Sequence, residues 1–287
     1  MTVLIVGWNE NAYSIIRAVA QSRQHKICQV LLPKGYEVMR IIKLCQAYRI
    51  PNKVIGKEAF NSAVRKANPE IVVSASCPWI ISNEIWGRYT CLNVHASLLP
   101  KHRGIHPVNW AIIMGDEKSG VTVHLIDREG LDNGPIIMQK AVPIHKKDDA
   151  ATLRQKLTTL GGPLLVQALD LFQSRKVQFI EQDESRASYD PKRTPEDSKI
   201  DWTINSQEII NLIRALVNPY PNAFCTNKRT MKLVRIESAK LMPAAMLTGI
   251  QVGYVLKATT NGYLVAASPH QILIRTQDEI CEGDVLF

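Results

Sequence analysis

Between residues 2 and 94 the chain keeps switching between short runs of Val, Ile and Leu and longer stretches whose apolar residues recur at helical spacing; few folds accept that alternation. Strand-like runs at 2–6, 27–32, 53–55 and 71–74 are separated by helical patterns at 11–21, 36–48 and 58–66. A run too apolar to alternate is a strand covered on both faces. Such strands joined by helices predict an α/β fold with a doubly wound parallel sheet. The first turn, Gly7-Trp8-Asn9-Glu10, lacks the glycine spacing that cradles a dinucleotide pyrophosphate, so a nicotinamide or flavin cofactor is not expected.

Residues with chemistry to offer concentrate from Asn93 to Asp132. A strand at 91–94 runs into Asn93-Val94-His95 and then the loop Ser97-Leu98-Leu99-Pro100-Lys101-His102-Arg103-Gly104. A helix from Pro107 to Met114, with proline in its first turn, and a strand from Val121 to Ile126 lead on to Leu131-Asp132-Asn133-Gly134-Pro135. Open α/β sheets bind ligands at the carboxyl ends of their strands. Asn93 and His95 are two apart on a strand and leave the same face. An amide, an imidazole and a carboxylate at one point supply a donor to a developing oxyanion, a proton shuttle and a group that orients the shuttle. Ser97 has no Gly-x-Ser-x-Gly elbow and is not read as a nucleophile. His124 is expected to pack into the sheet. His95, His102 and His106 are not expected to bind zinc, because Gly104 and Pro107 interrupt any regular helix there.

Asn-x-His-x-Ser-Leu-Leu-Pro-x-x-Arg-Gly at 93–104, Gly120-Val121-Thr122-Val123-His124, and Leu-Asp-x-Gly-Pro-Ile at 131–136 together resemble the formyltransferases that use 10-formyltetrahydrofolate as donor. The likeness covers most of residues 1–140. It implies a formyltransferase-like Rossmann variant that transfers a formyl group to a primary amine, with Asn93, His95 and Asp132 catalytic. It further implies that Trp79 and Ile80, in the loop Cys77-Pro78-Trp79-Ile80-Ile81, border the folate together with Ser97, Leu98, Leu99, Pro100, Arg103 and Gly104. Core packing is the alternative for the side chains of Trp79 and Ile80, and locking the loop is the alternative for Arg103. Neither a metal nor a covalent enzyme intermediate is implied. From His124 to Asp132 the chain is one residue longer than the family pattern, the excess lying at 127–130, so Asp127 stands as the alternative carboxylate.

Beyond the site, residues 150–173 predict a long amphipathic helix, broken or kinked near Gly161-Gly162-Pro163. Residues 181–199 have linker composition, which divides the chain into a catalytic domain at 1–180 and a second domain at 200–287. The latter begins with a helix at 206–217 and continues in strand-like runs at 232–236, 251–256, 262–266 and 271–274, predicting a small OB-like β-barrel. Family members that act on tRNA or on amino sugars carry a comparable C-terminal barrel.

A 46% apolar and 21% charged composition fits a globular protein. No uncharged apolar run is long enough to span a bilayer, and the N-terminal run is read as a buried strand, so a cytoplasmic protein is expected. The six cysteines are scattered without metal-site or framework spacing and are expected to be reduced core thiols. A net charge of +9 is compatible with an anionic partner. The resemblance leaves two acceptors: a small-molecule amine, above all a nucleotide-linked amino sugar, or initiator methionyl-tRNA. A formyltetrahydrofolate hydrolase and a catalytically silent binding module are further alternatives. Family members that read tRNA tend to carry a basic insertion after the second strand, where this chain has only Leu31-Leu32-Pro33-Lys34-Gly35-Tyr36-Glu37 before a helix. Lys228, Arg229, Lys232 and Arg235 are the opposing signal, as a phosphate-contacting patch or an ordinary solvated strand face.

Overall fold

The computed structural model describes residues 1–242 and 249–287, and its contacts divide the chain into two units. The first comprises residues 1–107, 118–143 and 154–190; the second comprises 108–117, 144–153 and 191–287.

In the first unit the alternation becomes β1 (Thr2–Gly7), α1 (Glu10–Ser22), β2 (Lys26–Pro33), α2 (Met39–Ala47), β3 (Asn52–Ile55), α3 (Phe60–Ala67), β4 (Ile71–Ala75), the short α4 (Asn83–Trp86) and β5 (Thr90–His95). Asn9 starts α1, its side-chain oxygen accepting from the backbone N–H groups of Asn11 and Ala12 at 3.0 and 3.3 Å, which satisfies donors a helix start leaves unpaired. Val3 to Val6 and Ile71 to Val73 are fully buried, as central strands covered on both faces must be. The two-residue β6 (Arg103–Gly104) follows; after α5 (Pro107–Ile113), which from Val108 on belongs to the second unit, come β7 (Lys118–Leu125) and β8 (Ile136–Pro143).

The main sheet has seven strands in the order β3-β2-β1-β4-β5-β7-β8. Its growth reverses beside β1, as expected of a doubly wound sheet. The first five strands are parallel, but β7 runs antiparallel to β5 and β8 antiparallel to β7, so the sheet is mixed. The cause is local. Only the ten residues from Ile126 to Pro135 connect β7 and β8, a hairpin's length, whereas a parallel return needs a crossover of a dozen or more.

The long helix is α6 (Ala150–Gln173), continuous across the Gly161-Gly162-Pro163 segment where the sequence predicts a break or a kink; it is not broken there. Its glycines serve packing instead. A Cβ on Gly162 would stand 2.6 Å from the Ala18 Cβ and 2.9 Å from the Ser14 carbonyl oxygen of α1, so the two helices approach more closely than a side chain permits. Ser14 Oγ also donates to the Thr158 carbonyl at 2.8 Å. Gly162→Val is therefore expected to lower stability by about 1–3 kcal/mol, read as a fall in urea midpoint. Residues 182–190, polar enough to be read as linker, pack onto this same unit and end in β9 (Tyr189–Asp190), which pairs in parallel with β6.

Among its described residues the second unit holds α7 (Ser206–Ala215), capped by Asn205, and six strands: β10 (Ala223–Thr226), β11 (Leu233–Ile236), β12 (Ser238–Met242), β13 (Val255–Thr259), β14 (Gly262–Ala266) and β15 (Gln271–Arg275). These form a two-stranded ribbon, β10-β11, and a four-stranded antiparallel sheet, β12-β15-β14-β13. They enclose a separate core that includes Trp202, Ile209, Ile213, Val234, Ile236 and Ile272.

Candidate active site

All three residues that the sequence singles out for chemistry lie in the first unit and meet at the carboxyl end of β5. The register pairs Asn93 with His124 and His95 with Thr122 across β5 and β7, so Asn93, His95 and His124 project from one face. Asp132 comes from the β7–β8 connection, with its backbone in the left-handed region (φ 54°). Its side chain is only 10% exposed. Oδ1 accepts from Asn93 Nδ2 at 3.0 Å, and Oδ2 accepts from the Gly104 N–H at 2.9 Å. His95 Nδ1 lies 3.5 Å from Oδ2, and His124 Nε2 lies 3.4 Å from Oδ1.

Burial works against the charge on Asp132, but it is outweighed by the positive potential of His95, by the His124 hydrogen bond and charge, and by the Gly104 N–H. The carboxyl group is held well below its ordinary range and stays ionised at neutral pH. His95 is 7% exposed, and its second nitrogen, Nε2, is 2.8 Å from the His102 carbonyl oxygen. Both ring nitrogens thus face oxygen acceptors. A doubly protonated ring satisfies both; a neutral ring satisfies one.

Two features differ from the sequence reading. The Asn93 NH2 group donates to Asp132 and sits 3.1 Å from His124 Nε2, so it is turned toward protein groups and not toward open space. His124, expected only to pack, is a member of the cluster. Its Nδ1 lies 2.7 Å from the Leu125 carbonyl oxygen, a contact that makes Nδ1 the donor and turns Nε2 toward Asn93 and Asp132. Nothing short of the β5–β7 register reveals this, because His124 is thirty-one residues from Asn93 in sequence.

Asp127 is not part of the cluster: its two oxygens accept from Arg128 at 3.0 and 3.2 Å, and Arg128 also reaches Glu181. Of the two carboxylates left open by the extra residue, Asp132 is the one that meets His95.

The loop after β5 turns most of its side chains into the protein. Ser97 is fully buried and donates to the Lys101 carbonyl at 2.7 Å; Leu99 is 3% exposed. Leu98 lies against Gly120, where a Cβ would come within 2.4 Å of the leucine Cδ2, and the Pro100 carbonyl accepts from Ser188 N–H. Arg103 is fully buried and Gly104 has φ 105°. A ligand would therefore meet Ser97, Leu99 and Arg103 through their backbone. In the loop after β4, the Trp79 ring stacks edge-on to Phe60 at 5.8 Å and packs on the core, whereas Ile80 is 77% exposed.

Comparison with known proteins gives the chain its relatives. Residues 1–169 match the formyl transferase family and residues 192–282 match the formyl transferase C-terminal domain. The methionyl-tRNA formyltransferase of Caldanaerobacter subterraneus subsp. tengcongensis is 34% identical over 227 residues, covering 75% of this chain and 70% of that protein. The methionyl-tRNA formyltransferase of Geobacter sulfurreducens is 29% identical over 96% of this chain and 88% of its own length. Among solved structures, the N-formyltransferase of Helicobacter canadensis, in complex with folinic acid and dTDP-3-aminofucose, aligns with a TM-score of 0.74 at 20% identity over 96% of this chain and 98% of that one. The sugar 3N-formyltransferase WlaRD, solved with dTDP and 5-N-formyl-THF, gives 0.70 at 20% identity over 98% and 99%. At that identity these two establish a common fold. With matches that run through both units of the chain, the protein belongs to the formyltransferase family, whose members carry out N-formylation with 10-formyltetrahydrofolate as formyl donor.

Proposed function

We propose that this chain formylates a primary amine of a small molecule, a nucleotide-linked amino sugar, using 10-formyltetrahydrofolate, with Asn93, His95 and Asp132 as the catalytic residues. The convergence of those three side chains on one point supports the transfer itself. The donor supplies an activated formyl carbon carried on a folate nitrogen. Residues suited to hold it lie on the neighbouring carboxyl ends of β4 and β5: exposed Ile80 offers apolar surface, and Trp79 Nε1 is a buried donor with no partner among the described residues.

The chain's own groups then divide the work. Asp132, ionised, takes the proton that the attacking amine must lose, directly or through a water. His95 donates to the oxygen of the tetrahedral adduct at whichever nitrogen exchanges its present acceptor for that oxygen. As the adduct collapses, the bond from the formyl carbon to the folate nitrogen breaks and the proton taken from the amine passes to that nitrogen. Asn93 turns part of its NH2 group from Asp132 to that same oxygen. His124 holds Asn93 and Asp132 in register. Replacing it by leucine removes the ring nitrogen that faces Asn93 and Asp132, and His124→Leu is expected to raise the barrier by about 1–2 kcal/mol, roughly tenfold in kcat by steady-state assay.

The choice of acceptor rests on one observation. β2 ends at Pro33 and α2 starts at Met39, leaving residues 34–38 as the connection, with Tyr36 packed against Trp8 at 4.5 Å between ring centroids. This is no inserted basic loop of the kind the resemblance associates with tRNA readers. Methionyl-tRNA is the second reading, favoured by the names of the sequence relatives. The basic residues of the second unit give it less support: Arg229 is engaged by Asp284 at 2.6 Å.

The test is an acceptor screen with 10-formyltetrahydrofolate, scored by the mass gain of one formyl group on nucleotide-linked amino sugars, other small amines and methionyl-tRNA. A formylated amino sugar is expected. Formylation of methionyl-tRNA alone, or free formate with no acceptor modified, overturns the proposal.

A further inference from the structure

The segment 182–190 has the composition of a linker, yet it fastens both halves of the Asp132–His95 pair. On one side Gln182 is 9% exposed and uses all of its amide. Its Nε2 donates to the backbone carbonyls of Asp132 and Gly134 at 2.8 and 2.7 Å, and its Oε1 accepts from Arg103 Nε and Nη2 at 3.1 and 2.8 Å. On the other side the His102 carbonyl, which faces His95 Nε2, is held in place by Ser188, whose Oγ accepts from His102 N–H at 2.8 Å and whose carbonyl accepts from Arg103 N–H at 2.9 Å.

Asp132 needs such a support more than most residues. Its left-handed backbone (φ 54°) lies in a region that side chains other than glycine adopt sparingly, in a connection outside regular secondary structure. With the carbonyl of residue 132 pinned, the carboxylate lies 2.9 Å from Gly104 N–H and 3.5 Å from His95 Nδ1. The two carbonyls take both protons of one amide group, which itself is oriented by a buried guanidinium. No other residue of the segment touches the backbone of Asp132 in this way.

We propose that Gln182 is the positioning residue of this site: by bridging Arg103 to the carbonyls of Asp132 and Gly134, it sets the Asp132 carboxylate against His95. The inference rests on the reading of Asp132 as the carboxylate of formyl transfer. Gln182 touches no reacting atom. Its effect passes through the backbone it holds.

The experiment compares Gln182→Glu and Asp132→Asn with the full chain, using 10-formyltetrahydrofolate and the acceptor identified by the screen. Gln182→Glu keeps an oxygen for Arg103 but presents no donor to the two carbonyls. It should lower kcat at least about tenfold while KM for the folate stays within about twofold, the split expected when catalytic geometry is lost and binding is kept. The Gly104 amide proton reports the carboxylate directly, since it is donated to Asp132 Oδ2. Its resonance should move upfield in Gln182→Glu, a shift that a merely scaffolding role would not produce. Wild-type kcat in Gln182→Glu, or an unmoved Gly104 amide signal, overturns the proposal while an inactive Asp132→Asn leaves the reading of Asp132 standing. Full turnover in Asp132→Asn overturns that reading and this proposal with it. Where Gln182→Glu does not fold, Gln182→Met, of similar length and uncharged, is judged by the same readouts.

Discussion

Asp132→Asn is expected to lower kcat by about two orders of magnitude or more, because it removes the carboxylate that faces His95 while preserving size. The replacement also faces the Gly104 N–H with an amide that has lost its charge-assisted acceptor. Asp127→Asn, by contrast, should leave turnover close to normal, since Asp127 is committed to Arg128. The reverse pattern would mean that the extra residue in the β7–β8 connection has been assigned on the wrong side of the carboxylate.

The same substitution has a pH signature. An Asp whose folded-state pKa lies below its unfolded value of 3.8 contributes stability that is complete above that value and is lost as pH falls toward the folded one. The difference in urea midpoint between the wild type and Asp132→Asn should therefore shrink as pH falls below about 4. A difference that grew toward acid would contradict the depressed pKa.

Arg103→Leu is expected to cost about 2–4 kcal/mol of stability, measured from urea unfolding, making it the most damaging single change outside the apolar core. The guanidinium is fully buried and reaches three partners: Gln182, Glu184 in a two-pronged contact at 2.6 and 2.9 Å, and the Tyr189 hydroxyl at 2.7 Å. Leucine fills part of the space but leaves the Gln182 amide oxygen buried without its donor. Lysine retains the charge but not the fork. Arg103→Lys should recover less than half of the loss, because one ammonium cannot span the amide, the carboxylate and the phenol at once. Recovery of full stability by lysine would mean that charge alone matters here. Of the two roles the sequence left open for Arg103, locking and ligand binding, these contacts favour locking.

Alternation of buried strands and amphipathic helices was enough to predict the doubly wound half of the main sheet, because parallel strands need apolar residues on both faces and helices to connect them. Local spacing likewise put Asn93 and His95 on one strand face, since the strand period of two is a property of the backbone. The motif order favoured Asp132 and left Asp127 open; the fold brings Asp132, not Asp127, against His95. Tertiary structure alone decided that β7 and β8 turn antiparallel, that α6 runs through its proline, that His124 stands opposite Asn93, and that a polar stretch at 182–190 fastens the Asp132 backbone. Each of these depends on which residues become neighbours across long separations in sequence. A polar side chain looks the same in a string of letters whether it ends in water or against a buried carbonyl, and only the folded chain supplies the partner that distinguishes the two.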